Sequence, residues 1–235
     1  LICVGNFLQK PISVDAGKTD QGAVMGRVVL WWVLLCASAQ ALAQSSEMMD
    51  RLAALEKDPA KREQAYAAAE ERILLCSKCH GKDGNSKRDY IPNLAGQNPQ
   101  YLFDAFEKYV DGQRTDFVMN QAAKLLTLNE RVNIAYYFSQ QEVLPRTEAV
   151  PDAAEIEQGA QRFATVCVTC HGAQAMGRDG FPRIAGQPRP YLTHALQRYR
   201  DKDPSRAGSP MLAVAGLLSD DDIKALAAYL SQLRP

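Results

Sequence analysis

Apolar positions along this chain recur at helical spacing, and no segment alternates apolar and polar residues as a strand would. Ala60 to Leu75 is rich in strong helix formers. Asp152 with Glu155 is placed to open a helix that continues to Val166. Asn98-Pro99 suits the cap and first position of a helix reaching about Val110. Thr127-x-x-Glu130 and Ser219-x-x-Asp222 are capping boxes, each opening a last helix. There Val132, Ile134, Ala135, Tyr137 and Phe138 form one apolar face, and Ile223, Leu226, Ala227 and Leu230 form another. The predicted fold class is therefore all-α.

The helices come in two matching sets. Ile91-Pro92-Asn93-Leu94-Ala95-Gly96-Gln97 corresponds to Phe181-Pro182-Arg183-Ile184-Ala185-Gly186-Gln187. Tyr101-Leu102 corresponds to Tyr191-Leu192, Tyr109 to Tyr199, Met119 to Met211, and Tyr137 to Tyr229. A repeat of this length predicts a duplicated domain, not a solenoid. The expected organisation is a first domain over 44–142, a linker over 143–151 that includes Pro145 and Pro151, and a second domain over 152–235.

The beginning of the chain has a different character. Met25-Gly26-Arg27, the apolar run Val28 to Leu35 and the small residues Ala41-Leu42-Ala43 have the order of an export signal, predicted over 25–43 and cleaved after Ala43. Residues 1–24 read as an upstream or extended segment, and no spanning helix is expected in the mature chain. The whole sequence has 27 basic and 27 acidic side chains. Residues 1–43 hold three of the former and two of the latter, so the remainder is nearly neutral. With no long basic run, nucleic acid is excluded as a partner.

Beyond Cys3 and Cys36, all cysteines fall in two pentapeptides: Cys76-Ser77-Lys78-Cys79-His80 and Cys167-Val168-Thr169-Cys170-His171. C-x-x-C-H is the attachment signature of c-type haem. Each thiol adds to one vinyl group of the porphyrin, and the adjacent His binds the iron from the proximal side. A zinc or redox-dithiol reading does not account for a His following immediately in both places. The predicted cofactors are two covalently attached haem c groups, held by Cys76, Cys79, Cys167 and Cys170, with His80 and His171 as axial ligands. Met119 and Met211 hold equivalent positions and are the expected opposite ligands, whereas Met176, five residues past His171, is expected in a loop. His194 is the third and last histidine, and its counterpart is Asp104, so it is expected on a helix surface. Lys78, Lys82, Lys87 and Arg88 around the first motif, and Arg178, Arg183 and Arg189 around the second, outline a basic rim suited to acidic redox partners.

These motifs, the P-x-[LI]-A-G-Q-x-x-x-Y-L blocks and the spaced methionines resemble class I cytochrome c domains, and their tandem arrangement resembles the dihaem cytochrome c4 family over nearly all of 60–235. The resemblance implies two tandem cytochrome c-like haem domains that face each other. It further implies that the carbonyls of Pro92 and Pro182 orient His80 and His171. One departure stands out. Gly159 and Phe163 fit a small-plus-aromatic helix crossing, but Ala68 and Arg72 stand as their counterparts, so the first domain is expected to cross its helices differently. The function expected is that of a periplasmic electron carrier, not an enzyme, passing single electrons between a quinol-oxidising complex and a terminal oxidase or reductase. A cytochrome subunit of a larger dehydrogenase or oxidase, membrane-associated through its partners, is the alternative. A dihaem peroxidase ranks below both, because spare histidines are scarce.

Overall fold

The computed structural model describes residues 46–146 and 149–235, and the predicted export signal and upstream segment lie outside them. The compact body runs from Met48 to Pro235. Every regular element among the described residues is helical, with no strand.

The first half contains helical residues 46–57 (α1), then α2 (Pro59–Arg72), α3 (Ser77–His80), α4 (Pro99–Val110), α5 (Phe117–Lys124) and α6 (Leu128–Ser139). The second half contains α7 (Ala153–Val166), α8 (Val168–His171), α9 (Arg189–Arg200), a short 3-10 turn at Pro204–Arg206, α10 (Met211–Ala215) and α11 (Asp220–Gln232). Caps define the starts. Asp58 accepts from Ala60 N, with Pro59 in the first helical turn, and Asn98 accepts from Tyr101 N at 3.0 Å ahead of Pro99. Thr127 with Glu130 and Ser219 with Asp222 form complete capping boxes. Asp152 caps α7 alone, and Glu155 turns instead to Arg189 and Lys224.

Each half has its own apolar core. In the first, Phe103 and Phe106 of α4 meet Val132, Ile134 and Phe138 of α6, and Met48, Leu52 and Leu55 of α1 join the same cluster. In the second, Phe163 of α7, Leu192 of α9 and Ile223, Leu226 and Leu230 of α11 form the cluster. The helix before each haem motif packs on the last helix of its half, α2 on α6 and α7 on α11. At the second crossing, a Cβ on Gly159 would lie 2.1 Å from the carbonyl oxygen of Ala225, so only glycine permits the approach.

The first crossing uses Ala69 and Ile73, both fully buried, whereas Ala68 is exposed and Arg72 pairs with Glu130 at 2.6 Å. Arg162 makes the same kind of contact with Asp222 at 3.2 Å. The counterparts of Gly159 and Phe163 are thus Ala69 and Ile73, one residue along from the expected pair. The physical reason is the approach to the motif: two residues separate Ile73 from Cys76, but three separate Phe163 from Cys167. In the first half α2 ends at Arg72 and a turn covers 73–76, whereas α7 runs on to Val166.

The segment after α6 is strapped to the first half. Leu144 N donates to Asn85 Oδ1 at 3.0 Å, Asn85 Nδ2 donates to Glu142 O at 2.9 Å, and Arg146 reaches Asp89 at 2.8 Å.

Candidate haem sites and the domain interface

The two motif turns have the same construction. Cys76 and Cys167 immediately precede α3 and α8, and in each half the backbone N–H of the motif His donates to the carbonyl of the first Cys, at 2.9 and 3.0 Å. This single turn puts the two thiols and the imidazole of each motif on one short helical segment. All four thiols are free and half-buried. Burial raises the Cys76 thiol and pushes Cys167 up to about 11, so neither is a thiolate at neutral pH.

His80 is 8% and His171 5% exposed. His80 Nδ1 lies 3.0 Å from Pro92 O, and His171 Nδ1 lies 2.9 Å from Pro182 O. A carbonyl only accepts, so each Nδ1 carries the hydrogen and each Nε2 keeps its lone pair for a metal. Burial holds both imidazoles below the ordinary histidine range, against the opposing effect of the proline carbonyl. A neutral ring with a fixed tautomer is the form that ligates iron.

Met119 lies inside α5, half-buried against the first core, with Asp116 Oδ1 accepting from its N–H at 3.0 Å. The charges of Asp116 and Arg114 bear on His80, so the segment leading into α5 runs near that imidazole. Met211 is half-buried and opens α10, where Ser209 Oγ accepts from its N–H at 3.2 Å. Met176 is in the loop after α8, and His194 is exposed on α9.

The domains meet through side chains that recur with the repeat. Gln97 Oε1 accepts from Arg183 N at 2.6 Å, and Gln97 Nε2 donates to Arg183 O at 2.9 Å. Reciprocally, Gln187 Oε1 accepts from Asn93 N at 2.9 Å, and Gln187 Nε2 donates to Asn93 O at 2.8 Å. The glycine before each Gln has positive φ, +57° at Gly96 and +64° at Gly186, and this turns the glutamine toward the opposite half. Arg183 is not part of a surface rim: it is 1% exposed and donates to Ala95 O at 2.7 Å. Burial holds its guanidinium down at about 10. Of its neighbours in the expected rim, Arg178 bonds Thr169 O and Arg189 pairs with Glu155.

A second recurring set had no place in the reading of the sequence. Arg114 and Arg206 occupy matching positions, at the same ninety-two-residue offset as the two methionines. Arg114 donates to Tyr101 OH at 3.3 Å and lies 4.9 Å from the Tyr109 ring centre; Arg206 lies 5.9 Å from that of Tyr199. Thr115 N donates to Ser205 O at 3.0 Å, so the two loops touch. Neither arginine has a carboxylate partner among the described residues, and Nε of Arg114 with Nε and Nη1 of Arg206 are buried without an acceptor. Buried cations with idle donors call for anionic oxygens. Haem c brings two carboxylates, as well as vinyl groups for the thiols and iron for the imidazole, so the residues present fit that group. The paired offset of the arginines was the sequence signal that could have found them.

Two fixed-tautomer histidines, each on a Cys-x-x-Cys-His turn within its own small helical domain, define a dihaem class I c-type cytochrome. The comparisons specify which kind. The cytochrome c family matches residues 156–234. The chain is 30% identical over 179 residues to cytochrome c4 of Pseudomonas aeruginosa, covering 71% of this chain and 88% of that protein. It is 31% identical over 181 residues to the thiosulfate dehydrogenase electron acceptor of Thiomonas intermedia, covering 71% and 82%. Its fold matches the crystal structure of reduced recombinant cytochrome c4 from Pseudomonas stutzeri with a TM-score of 0.65 and 30% identity, over 72% of this chain and 98% of that one. The chain belongs to the cytochrome c4 family. It is an electron-transfer protein with two covalently attached haem c groups, not an enzyme.

Proposed function

We propose that this cytochrome is a periplasmic carrier passing single electrons between a quinol-oxidising complex and a terminal oxidase or reductase. In this reading Cys76 and Cys79, and Cys167 and Cys170, make the thioether bonds. His80 and Met119 are the axial ligands of one iron, and His171 and Met211 those of the other. Pro92 and Pro182 hold the imidazoles in register. The two haem domains occupy 44–142 and 152–235, joined by 143–151, and the signal-like order of 25–43 supports export.

The observation that carries the reading is the repeated bond from histidine Nδ1 to a proline carbonyl, at 3.0 and 2.9 Å. Both bonds hold a neutral imidazole with Nε2 directed away from the carbonyl. When bound, haem supplies a reversible one-electron couple, and soft thioether ligation raises its potential by favouring ferrous iron. The chain's own residues fix the proximal ring, exclude water from it and set the charge around it. His194 is exposed and its counterpart is Asp104, which argues against a shared histidine ligand and supports the paired methionines.

A second reading has support from relatives such as the electron acceptor of a thiosulfate dehydrogenase. There the same domains would take electrons directly from a dehydrogenase partner. A spectroscopic redox titration of the mature holoprotein, with the ferric methionine–iron charge-transfer band recorded, tests the ligand set. Two positive potentials with full methionine ligation are expected. One low-potential or methionine-free haem would overturn the carrier reading and return attention to peroxide chemistry. Co-purification with a dehydrogenase would select the second reading.

A further inference from the structure

Each interface glutamine bonds the one peptide group in the opposite domain that also orients a haem-motif histidine. The peptide joining Pro92 to Asn93 is a single planar resonance unit. Its carbonyl accepts from His80 Nδ1 at 3.0 Å, and its N–H donates to Gln187 Oε1 at 2.9 Å. The peptide joining Pro182 to Arg183 repeats this arrangement: its carbonyl accepts from His171 Nδ1 at 2.9 Å, and its N–H donates to Gln97 Oε1 at 2.6 Å. We propose that Gln187 and Gln97 are positioning residues that tune, crosswise, the proximal histidine of the opposite haem domain. The proposal rests on His80 and His171 being the iron ligands.

The physical basis is polarisation along a hydrogen-bonded chain. An acceptor on the peptide N–H pushes electron density toward the carbonyl oxygen, making it a stronger acceptor for imidazole Nδ1–H. The imidazole then gains anionic character and becomes a more basic ligand, which favours ferric iron and lowers the potential. Burial keeps water from replacing either glutamine, since Gln97 is 4% and Gln187 3% exposed. The amide orientations are fixed as well. Each Nε2 donates to the carbonyl of the same residue whose N–H its Oε1 accepts, at 2.9 and 2.8 Å. Turning either amide over would place oxygen against oxygen and hydrogen against hydrogen. Asn93 is itself held, because Ser86 N donates to its Oδ1 at 2.9 Å.

The test uses the full holoprotein and resolves the two potentials by assigning the ferric haem methyl resonances to each domain. Gln187→Met keeps the side-chain length and removes the acceptor; it should raise the potential of the haem on Cys76 and Cys79 more than that of the haem in its own domain. Gln97→Met should raise the other haem's potential in the same crossed sense. Gln187→Asn keeps the interface polar while withdrawing the oxygen, and should give a smaller rise at the same opposite haem. In Gln187→Met the His80 Nδ1–H should also exchange faster. Equal shifts at both haems, a shift confined to the mutated domain, or no shift would each overturn the proposal. The wild-type spectrum separates histidine ligation from the crossed coupling. Absent imidazole resonances would sink the ligand reading itself, whereas intact imidazole ligation with unmoved potentials would sink only the crossed coupling.

Discussion

At the small-residue position of the two helix crossings, the difference is one methyl group. Ala69 is accommodated between α2 and α6, but a Cβ at Gly159 would meet Ala225 O at 2.1 Å and Tyr229 Cβ at 2.7 Å. Gly159→Ala should therefore destabilise the second domain by about 1–3 kcal/mol through overpacking, although alanine is the better helix former. Denaturant titration followed at the second haem checks this, and an unchanged or stabilised second domain would show that the crossing can relax. Residues of this kind also mark how far the sequence could be read. The haem-motif cysteines, the histidines and the repeated proline blocks are local signals, so they stand out in the chain. Arg183 does not. On the chain it looks like one more cation beside a haem motif, yet contact with the other domain buries it, and nothing local encodes that burial.

At the scale of elements, capping chemistry was the most legible feature, because a capping box is complete within four residues. The box at Thr127 also links two helices. Glu130 accepts from Thr127 N at 2.7 Å at the start of α6 and from Arg72 at 2.6 Å at the end of α2. The Thr127 backbone bond, with help from Arg72, holds the Glu130 carboxyl below the usual carboxylate range. A depressed folded-state pKa stabilises above the unfolded-state value and ceases to do so as pH falls through the folded one. The stability difference between the wild type and Glu130→Gln should thus be present at neutral pH and close on acidification below the carboxylate range. Urea midpoints across that range would show it, and a gap that persists in acid would assign the effect to shape instead of charge. Helix α1 was the element the sequence reading missed. Met48, Leu52 and Leu55 are spaced for one helical face, but the second half has no equivalent, so the repeat offered no template for it.

For the whole molecule, the repeat makes two domains legible, but it leaves open what holds them together. The described contacts between them are largely polar and sit deep: Gln97 with Arg183, Gln187 with Asn93, Asn93 Nδ2 with Gly186 O at 3.3 Å, and Arg183 with Ala95 O. An interface of this kind is sensitive to the loss of one partner, since each buried donor or acceptor left unpaired costs about 1–3 kcal/mol. Replacing both glutamines by Met strands four backbone groups, the N–H and C=O of Asn93 and of Arg183. These sites lie close together, so their effects should not simply add. The double variant Gln97→Met/Gln187→Met should retain both helical domains and both haems while losing their docking. Its unfolding, followed separately at each haem, should split into two transitions against a single one expected for the wild type, and its scattering profile should lengthen. A single transition at the wild-type midpoint would mean that apolar and loop contacts outweigh these bonds. The glutamines would then serve the histidines alone and not the assembly.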